Sequence, residues 1–165
     1  MPSDHMGLTV HWPSGFTPDE ADYHFRASTT INASPAAVFG CLADLDRWPL
    51  WVPGVTEAGP TMSGGALSLQ ESFRYRLFEV DLECLIAQWQ PATRLGWSGL
   101  GPGLHFYHGW TFEPRYEATV VVSEQAARGA TAVTMREAHP EWENFLRYGW
   151  LAALKQRVEN CSPAR

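Results

Sequence analysis

The sequence predicts an α+β domain in which an antiparallel meander of strands is followed by one long C-terminal helix. Between residues 22 and 126, runs of alternating apolar and polar residues are separated by turns that contain Gly or Pro, a pattern typical of strands joined by hairpins. From Pro140 onward the apolar residues recur at steps of three and four. That spacing gives a helix with an apolar stripe wide enough to lie across a sheet.

The first predicted elements are a strand over about 22 to 32 and two short helices after it. The first helix begins at Pro35, because Ser34 is a good N-cap and proline is tolerated at the first helical position. Its apolar face consists of Val38, Phe39, Leu42 and Leu45. The second helix carries the aromatic pair Trp48 and Trp51.

Later strands are expected near 55 to 59, 66 to 77, 79 to 89, 94 to 99, 104 to 113 and 117 to 126. In the strand over 79 to 89, Trp89 falls on the face opposite the apolar residues that precede it. A β-bulge near Ala87 reconciles the two faces. The final helix carries its apolar stripe over 141 to 158.

The length of 165 residues predicts a single domain with one core. Residues 1–22 mix Pro, Gly, Ser, Asp and His without a period and are predicted to form an N-terminal arm, whose residues 1–6 are either native or a cloning remnant. Residues 23–160 are predicted to form the ligand-binding domain, and 161–165 a C-terminal tail. The oligomeric state stays open.

Charge and composition limit the classes of partner. The formal net charge of -6 argues against nucleic acid, whose phosphate backbone is bound by clustered Lys and Arg. No apolar run approaches the length of a membrane span, and the N-terminus lacks the pattern of a signal peptide, so a cytoplasmic protein is expected. Cys41, Cys84 and Cys161 are scattered and odd in number, which predicts reduced thiols.

One carboxyl group and one hydroxyl group on the predicted strand over 67 to 77 are candidates for catalysis. Glu71 and Tyr75 share a face with Phe73 by the alternation of a strand. If that face points inward, Glu71 lies among aromatic residues, where lost hydration raises the pKa of a carboxyl group and makes it a possible acid or base. The alternative is a different register, or a Glu at the mouth of a cavity.

The strand over 104 to 113 offers a histidine on its apolar face. His108 shares that face with Phe106, Trp110 and Phe112, and an inward His108 is either a proton shuttle or a hydrogen-bonded core residue. His105 falls on the opposite face, because a step of three reverses the direction of a strand side chain, so no metal site is expected. The glycine-rich segments match no cofactor or nucleophile motif, and no cofactor is expected.

Five short segments recur in the order and spacing of a known family. They are Ile31-Asn32-Ala33-Ser34-Pro35 with Val38-Phe39, Trp48 through Val55, Gln90-Pro91 before Leu95-Gly96-Trp97, Trp110-Thr111-Phe112, and Trp150-Leu151-Ala152-Ala153-Leu154-Lys155. With the order of the elements, they resemble the START-like superfamily, also called SRPBCC, and specifically its polyketide cyclase/dehydrase branch. The resemblance covers roughly 23 to 160.

This resemblance implies the helix-grip fold, a curved antiparallel sheet wrapped around a long C-terminal helix and enclosing an apolar cavity. It does not imply one reaction. The aromatic residues expected to line the cavity are Phe39, Trp48, Trp51, Phe73, Trp89, Trp97, Phe106, Trp110, Trp142, Phe145 and Trp150. The alternative is that these side chains fill a solid core, as aromatic residues usually do.

The predicted function is binding of an apolar, polyketide-like or lipid-like small molecule, with cyclisation or dehydration promoted by holding its reacting atoms together. His108, Glu71 and Tyr75 are the polar candidates for that chemistry. Aromatase/cyclase relatives carry a cavity Arg and a cavity Tyr where this chain has Trp89 and Val55, so their aromatising mechanism is not implied. A non-catalytic carrier or sensor, and a START-like partner of a larger complex, are the alternatives.

Overall fold

The computed structural model describes residues 8–61 and 67–161, whose centre is a curved antiparallel sheet of seven strands. The strands are β1 (Tyr23–Ile31), β2 (Val55–Pro60), β3 (Ser72–Leu77), β4 (Val80–Gln90), β5 (Arg94–Gly101), β6 (Leu104–Arg115) and β7 (Ala118–Arg128). Their order across the sheet is β1-β7-β6-β5-β4-β3-β2. The chain therefore runs as a meander from β2 to β7 and returns to pair β7 with β1, which confirms the predicted fold class.

The helices lie before and after this meander. They are α1 (Pro35–Ala43), α2 (Trp48–Trp51), α3 (Ala130–Ala138), α4 (Pro140–Asn144) and α5 (Trp150–Cys161), with a π-helical turn (Phe145–Gly149) between the last two. The Ser34 hydroxyl accepts a hydrogen bond from the Ala37 amide at 3.2 Å. This N-cap confirms the predicted start of α1.

Helix α3 was not predicted, because its own sequence gives only a weak helical signal. Ala132 and Met135 are its buried residues, and that is too little for an apolar stripe. The helix is instead fixed by distant residues: the Asp22 carboxylate accepts from the Gly129 amide at 2.8 Å, and the Gly103 carbonyl accepts from the Thr131 amide at 3.0 Å. Tertiary contacts thus supply what local propensity does not.

Strand β3 is shorter than the sequence predicts. The predicted strand began at 66, a residue outside the described ranges, whereas β3 begins at Ser72. Gln70 has a left-handed φ of 67°, and the Glu71 amide donates to the Ser68 carbonyl at 3.1 Å to form a turn. A turn interrupts side-chain alternation, so the inward direction considered for Glu71 is wrong and the alternative of a different register holds, while Phe73 and Tyr75 are buried as expected.

Two finer predictions about regular structure are confirmed. The pairing of β4 with β5 shifts register between Ile86 and Gln88, which places a β-bulge at Ala87 and brings Trp89 to the core side. The C-terminal helix begins at Pro140 and remains helical to Cys161, with the π-helical turn inserted.

The outer face of the sheet is covered in part by the N-terminal segment. Val10 and Phe16 form a small apolar cluster with Tyr107, whose side chain points outward from β6 yet is 1% exposed. Gly109 makes room for this contact, because a Cβ at that position would collide with the Val10 side chain. Residues 8–22 are therefore packed against the sheet, although the boundary predicted at 23 stays a prediction.

Candidate ligand-binding site

The inner face of the sheet and the C-terminal helix meet at a cluster of four tryptophans. Trp48, Trp97, Trp110 and Trp150 are all at most 1% exposed. Their ring centroids lie 5.1 Å apart for Trp48 and Trp150, 5.6 Å for Trp48 and Trp97, and 5.8 Å for Trp110 and Trp150. These are the contact distances of packed aromatic side chains, so the centre of the grip is a filled core.

Most of the aromatic residues predicted to line a cavity belong to this core or to its edge. Phe73 contacts Trp48 and Trp97, while Phe39 contacts Trp89 with ring centroids 5.0 Å apart. Partly buried side chains pack against the core at its edge: Trp51, Trp89, Trp142 and Phe145. Contact of Trp48, Trp97, Trp110 or Trp150 with a ligand stays a prediction.

An apolar cavity of about 60 Å³ lies beside the core, between the sheet and the helices that follow it. We call it the α3 cavity, because α3 covers it. It is lined by Tyr75, Leu77, Phe78, Val80, Leu82, Leu104, Phe106, Gln125, Thr131, Met135, Trp142 and Leu146. Tyr75, Phe106 and Trp142 are the residues of the predicted site that border it.

The α3 cavity is bounded on one side by a stack of two aromatic rings. Phe78 and Trp142 lie with centroids 6.1 Å apart and ring planes 6° apart. Phe78 and Glu79 form the tight turn between β3 and β4, with left-handed φ values of 48° and 66°. A bulky residue adopts such a φ at a cost of roughly 1–3 kcal/mol, so packing must hold Phe78 in place.

That packing comes from Gly54 and Phe145. A Cβ at Gly54 would collide with the Phe78 ring, and the Gly54 carbonyl accepts a hydrogen bond from the Phe78 amide at 2.9 Å. The Phe145 ring, in the π-helical turn, lies 5.1 Å from the Phe78 ring at 79°. The β3–β4 turn is thus held between the chain before β2 and the C-terminal helix.

Several buried polar side chains lie on β6 and β7. His108 and Gln125 are partners in the register of these strands, and both are buried. His108 Nε2 shares a hydrogen bond with Ser123 Oγ at 2.7 Å. Burial lowers the pKa of His108 from 6.5 to about 3, so its imidazole is neutral at physiological pH.

The interior also holds hydrogen-bond donors that have no partner among the described residues. The Trp48 indole donates to the Leu42 carbonyl at 2.8 Å, whereas Nε1 of Trp110 and of Trp150 is buried without an acceptor. A buried donor without an acceptor loses its hydration without compensation.

The three predicted catalytic residues are not brought together. Glu71 is exposed in the turn before β3, which corrects its predicted inward position. Tyr75 and His108 are buried, and both adjoin Trp97. Burial raises the pKa of the Tyr75 hydroxyl well above its usual range, so this group stays protonated. A paired acid and base between Glu71 and His108 is not present.

His105 and His108 lie on opposite faces of β6, as predicted: His105 is exposed and His108 is buried. Within residues 8–61 and 67–161, no group of three or more His, Cys, Asp or Glu side chains is placed to hold a metal ion.

Sequence reasoning missed Gln125, Ser123 and Met135. A signal for the first two was available, since Ser123 and Gln125 follow Val121 at steps of two along the predicted strand over 117 to 126 and so share its face. No comparable signal existed for Met135, because α3 depends on tertiary contacts.

Comparison with solved structures shows which fold the chain shares with other proteins. A hypothetical protein from Helicobacter pylori superposes with a TM-score of 0.83 at 18% identity, covering 92% of this chain and 97% of its own. The ZhuI aromatase/cyclase from Streptomyces sp. R1128 gives 0.69 at 18%, covering 86% and 96%. A START superfamily protein from Mycobacterium smegmatis gives 0.62 at 14%, covering 84% and 99%. The shared architecture is the START-like helix-grip fold.

Residues 22–160 match the model of a family described as polyketide cyclase / dehydrase and lipid transport, and the chain belongs to this family. The resemblance inferred from the sequence is thereby confirmed. A comparison with curated proteins finds no match. Across the part of the chain that the structure describes, the helices are all too short or too polar to cross a membrane.

Proposed function

We propose that this protein binds an apolar small molecule in the α3 cavity. The observation that carries the proposal is the composition of the cavity wall: aliphatic and aromatic side chains surround one buried amide, that of Gln125. Ligand pockets typically combine such walls with few polar groups that orient the ligand. The family, described by cyclisation, dehydration and lipid transport, supports the same class of ligand.

Binding requires the cavity to enlarge. Its volume of about 60 Å³ is well below the roughly 300–1,000 Å³ of typical ligand pockets. The Phe78–Trp142 stack is the element we propose to part, because it joins a two-residue turn to a five-residue helix, α4. Separation of the two rings by side-chain rotation leaves the backbone pairing of Leu77 with Val80 in place.

A fluorescence titration with Nile red, an uncharged apolar dye, tests this proposal. Binding in the α3 cavity predicts a saturable rise in dye emission, weakened at least about fivefold by Met135→Phe, which fills part of the cavity. Leu85→Phe is the matched control, because Leu85 is exposed on the outer face of β4. Equal titrations of both variants and the wild type would place the dye elsewhere and contradict the proposal.

Ring closure with loss of water is a second candidate function, favoured by the buried His108–Ser123 hydrogen bond. A neutral imidazole accepts a proton, but the low pKa of His108 makes it a weak base, so binding is the better supported function. Acetonylacetone is a simple probe, since its intramolecular aldol reaction yields methylcyclopentenone and one water. Catalysis predicts enone formation above the buffer rate and its loss in His108→Gln. A carrier predicts the buffer rate for both proteins.

A further inference from the structure

The wall of the α3 cavity contains no charged side chain. Its lining residues include no Lys, Arg, His, Asp or Glu. Tyr75 is its most acidic member, and burial holds that hydroxyl in the protonated form. An ion entering the cavity would lose hydration and gain no counter-charge.

Gln125 is the polar group that the wall offers to a ligand. It is 4% exposed, and an amide can both donate and accept hydrogen bonds. Thr131 also borders the cavity, but its hydroxyl already donates to the Pro102 carbonyl at 2.5 Å. A ligand at this wall can therefore form a hydrogen bond with the neutral amide of Gln125.

Two ionisable groups that adjoin lining residues do not supply a free charge to the wall. His108, the cross-strand partner of Gln125, is neutral because burial lowers its pKa to about 3. Arg147, next to the lining residue Leu146, is paired with Glu143 at 3.0 Å. The protein as a whole carries a formal net charge of -6, which repels anions at long range.

We propose that the α3 cavity selects uncharged ligands, and that Gln125 orients them by a hydrogen bond to a carbonyl or hydroxyl group. This inference rests on the proposed function and specifies its ligand class. A ligand with a carbonyl group accepts from the Gln125 amide and keeps its apolar part against Met135 and Leu146. A free fatty acid or another carboxylate is rejected at neutral pH, because its charge finds no partner in the wall.

Four para-substituted bromobenzenes of similar size test the inference by calorimetric titration near neutral pH. Para-bromoethylbenzene has no polar group, para-bromoacetophenone has a neutral carbonyl, para-bromobenzoate is an anion and para-bromobenzylammonium is a cation. We expect the ketone, para-bromoacetophenone, to bind most tightly and para-bromoethylbenzene less tightly. Both ions should bind at least about tenfold more weakly than the ketone, because a buried unpaired charge is costly.

Two substitutions of Gln125 and one control separate its role from general packing. Gln125→Leu should remove the preference for the ketone over para-bromoethylbenzene, while the affinity for para-bromoethylbenzene is kept. Gln125→Arg should reverse the charge selection and favour the benzoate. Glu83→Gln changes a charge on the outer face of β4, opposite the face that borders the cavity, and should leave all affinities as in the wild type. Circular dichroism confirms that each variant is folded.

The outcomes distinguish the inference from the proposed function. If para-bromoethylbenzene and the ketone bind, but the benzoate or the ammonium binds as tightly as the ketone, selection by charge is overturned. The proposed function, binding in the cavity, then still stands. If the ketone binds the wild type no better than para-bromoethylbenzene does, the proposed hydrogen bond from Gln125 is overturned. If no probe binds and Nile red does not bind, the proposed function fails together with the inference.

Discussion

Phe78 and Trp142 have nearly parallel rings, with ring planes 6° apart and centroids 6.1 Å apart. This stack joins the β3–β4 turn to α4 and stands at the side of the α3 cavity. Phe78 is held there at a left-handed φ of 48°, a conformation that bulky residues avoid unless packing compensates. Parting of this stack is the proposed route by which a ligand enters the cavity.

Removing either ring should make ligand entry faster. Phe78→Ala and Trp142→Ala each abolish the stack, so we expect the association rate of Nile red to rise at least about threefold, with a smaller change in its equilibrium affinity. Stopped-flow fluorescence measures this rate. Leu100→Ala, on an exposed side chain of β5, is the control and should leave the rate unchanged. A slower association in the two ring variants would show that the stack is not the entry point.

The buried His108 predicts a pH dependence of stability. Its folded pKa of about 3 lies below the ordinary value of 6.5, so the unfolded chain binds a proton that the folded protein does not. The free energy of unfolding from this group is fully present above about pH 6.5. It falls by about 1.4 kcal/mol per pH unit as the pH drops toward about 3.

Urea denaturation between about pH 7 and pH 5 measures this slope. His108→Phe removes the titrating group, so its stability should fall less steeply with decreasing pH than that of the wild type, whatever its absolute value. His105→Phe, at an exposed site on the same strand, should keep most of the slope. An unchanged slope in His108→Phe would mean that His108 does not titrate in this window.

The three cysteines should react at different rates. Cys161 is exposed and Cys84 is buried, and burial raises the pKa of Cys84. Burial also raises the pKa of Cys41 from 9.0 to about 11, which leaves about a hundredfold less thiolate at neutral pH. Iodoacetamide labelling followed by peptide mass spectrometry should modify Cys161 first and Cys84 only on unfolding. Labelling of Cys84 as fast as Cys161 would contradict its burial.

The N-terminal segment should contribute to stability. Phe16→Ala removes a buried ring from the cluster with Val10 and Tyr107, and a loss of roughly 3 kcal/mol in the free energy of unfolding is expected. Leu100→Ala should change this free energy by less than about 0.5 kcal/mol. If Phe16→Ala is equally mild, the segment is an appendage and the domain begins near residue 23, as the sequence alone predicts.

The fold was largely predictable because its signals are local. The Ser34 cap, the alternation on β6 and the bulge at Ala87 can each be read from a few neighbouring residues. Helix α3 could not be predicted, since Asp22 and Gly103 fix it from distant parts of the chain.

The candidate site was less predictable than the fold. The alternation along a strand assigns each side chain to one face of the sheet, but it does not show whether a cavity or other side chains lie against that face. Trp48, Trp97 and Trp150 point inward as expected and pack against one another. The remaining space lies beside them, under an element that was not predicted. The prediction for Glu71 failed because a left-handed φ at Gln70 ends the alternation of the strand. The turn contains no glycine, so the sequence does not indicate it.

The position of a bound ligand is the most direct test of the account. Crystals soaked with para-bromoacetophenone give an anomalous bromine signal that locates the probe directly. We predict a bromine peak within about 4.5 Å of Met135 or Leu146, with the carbonyl directed at the Gln125 amide. A peak among the four tryptophans or on the outer face of the sheet, with the α3 cavity unchanged, would contradict the assignment of this cavity as the binding site.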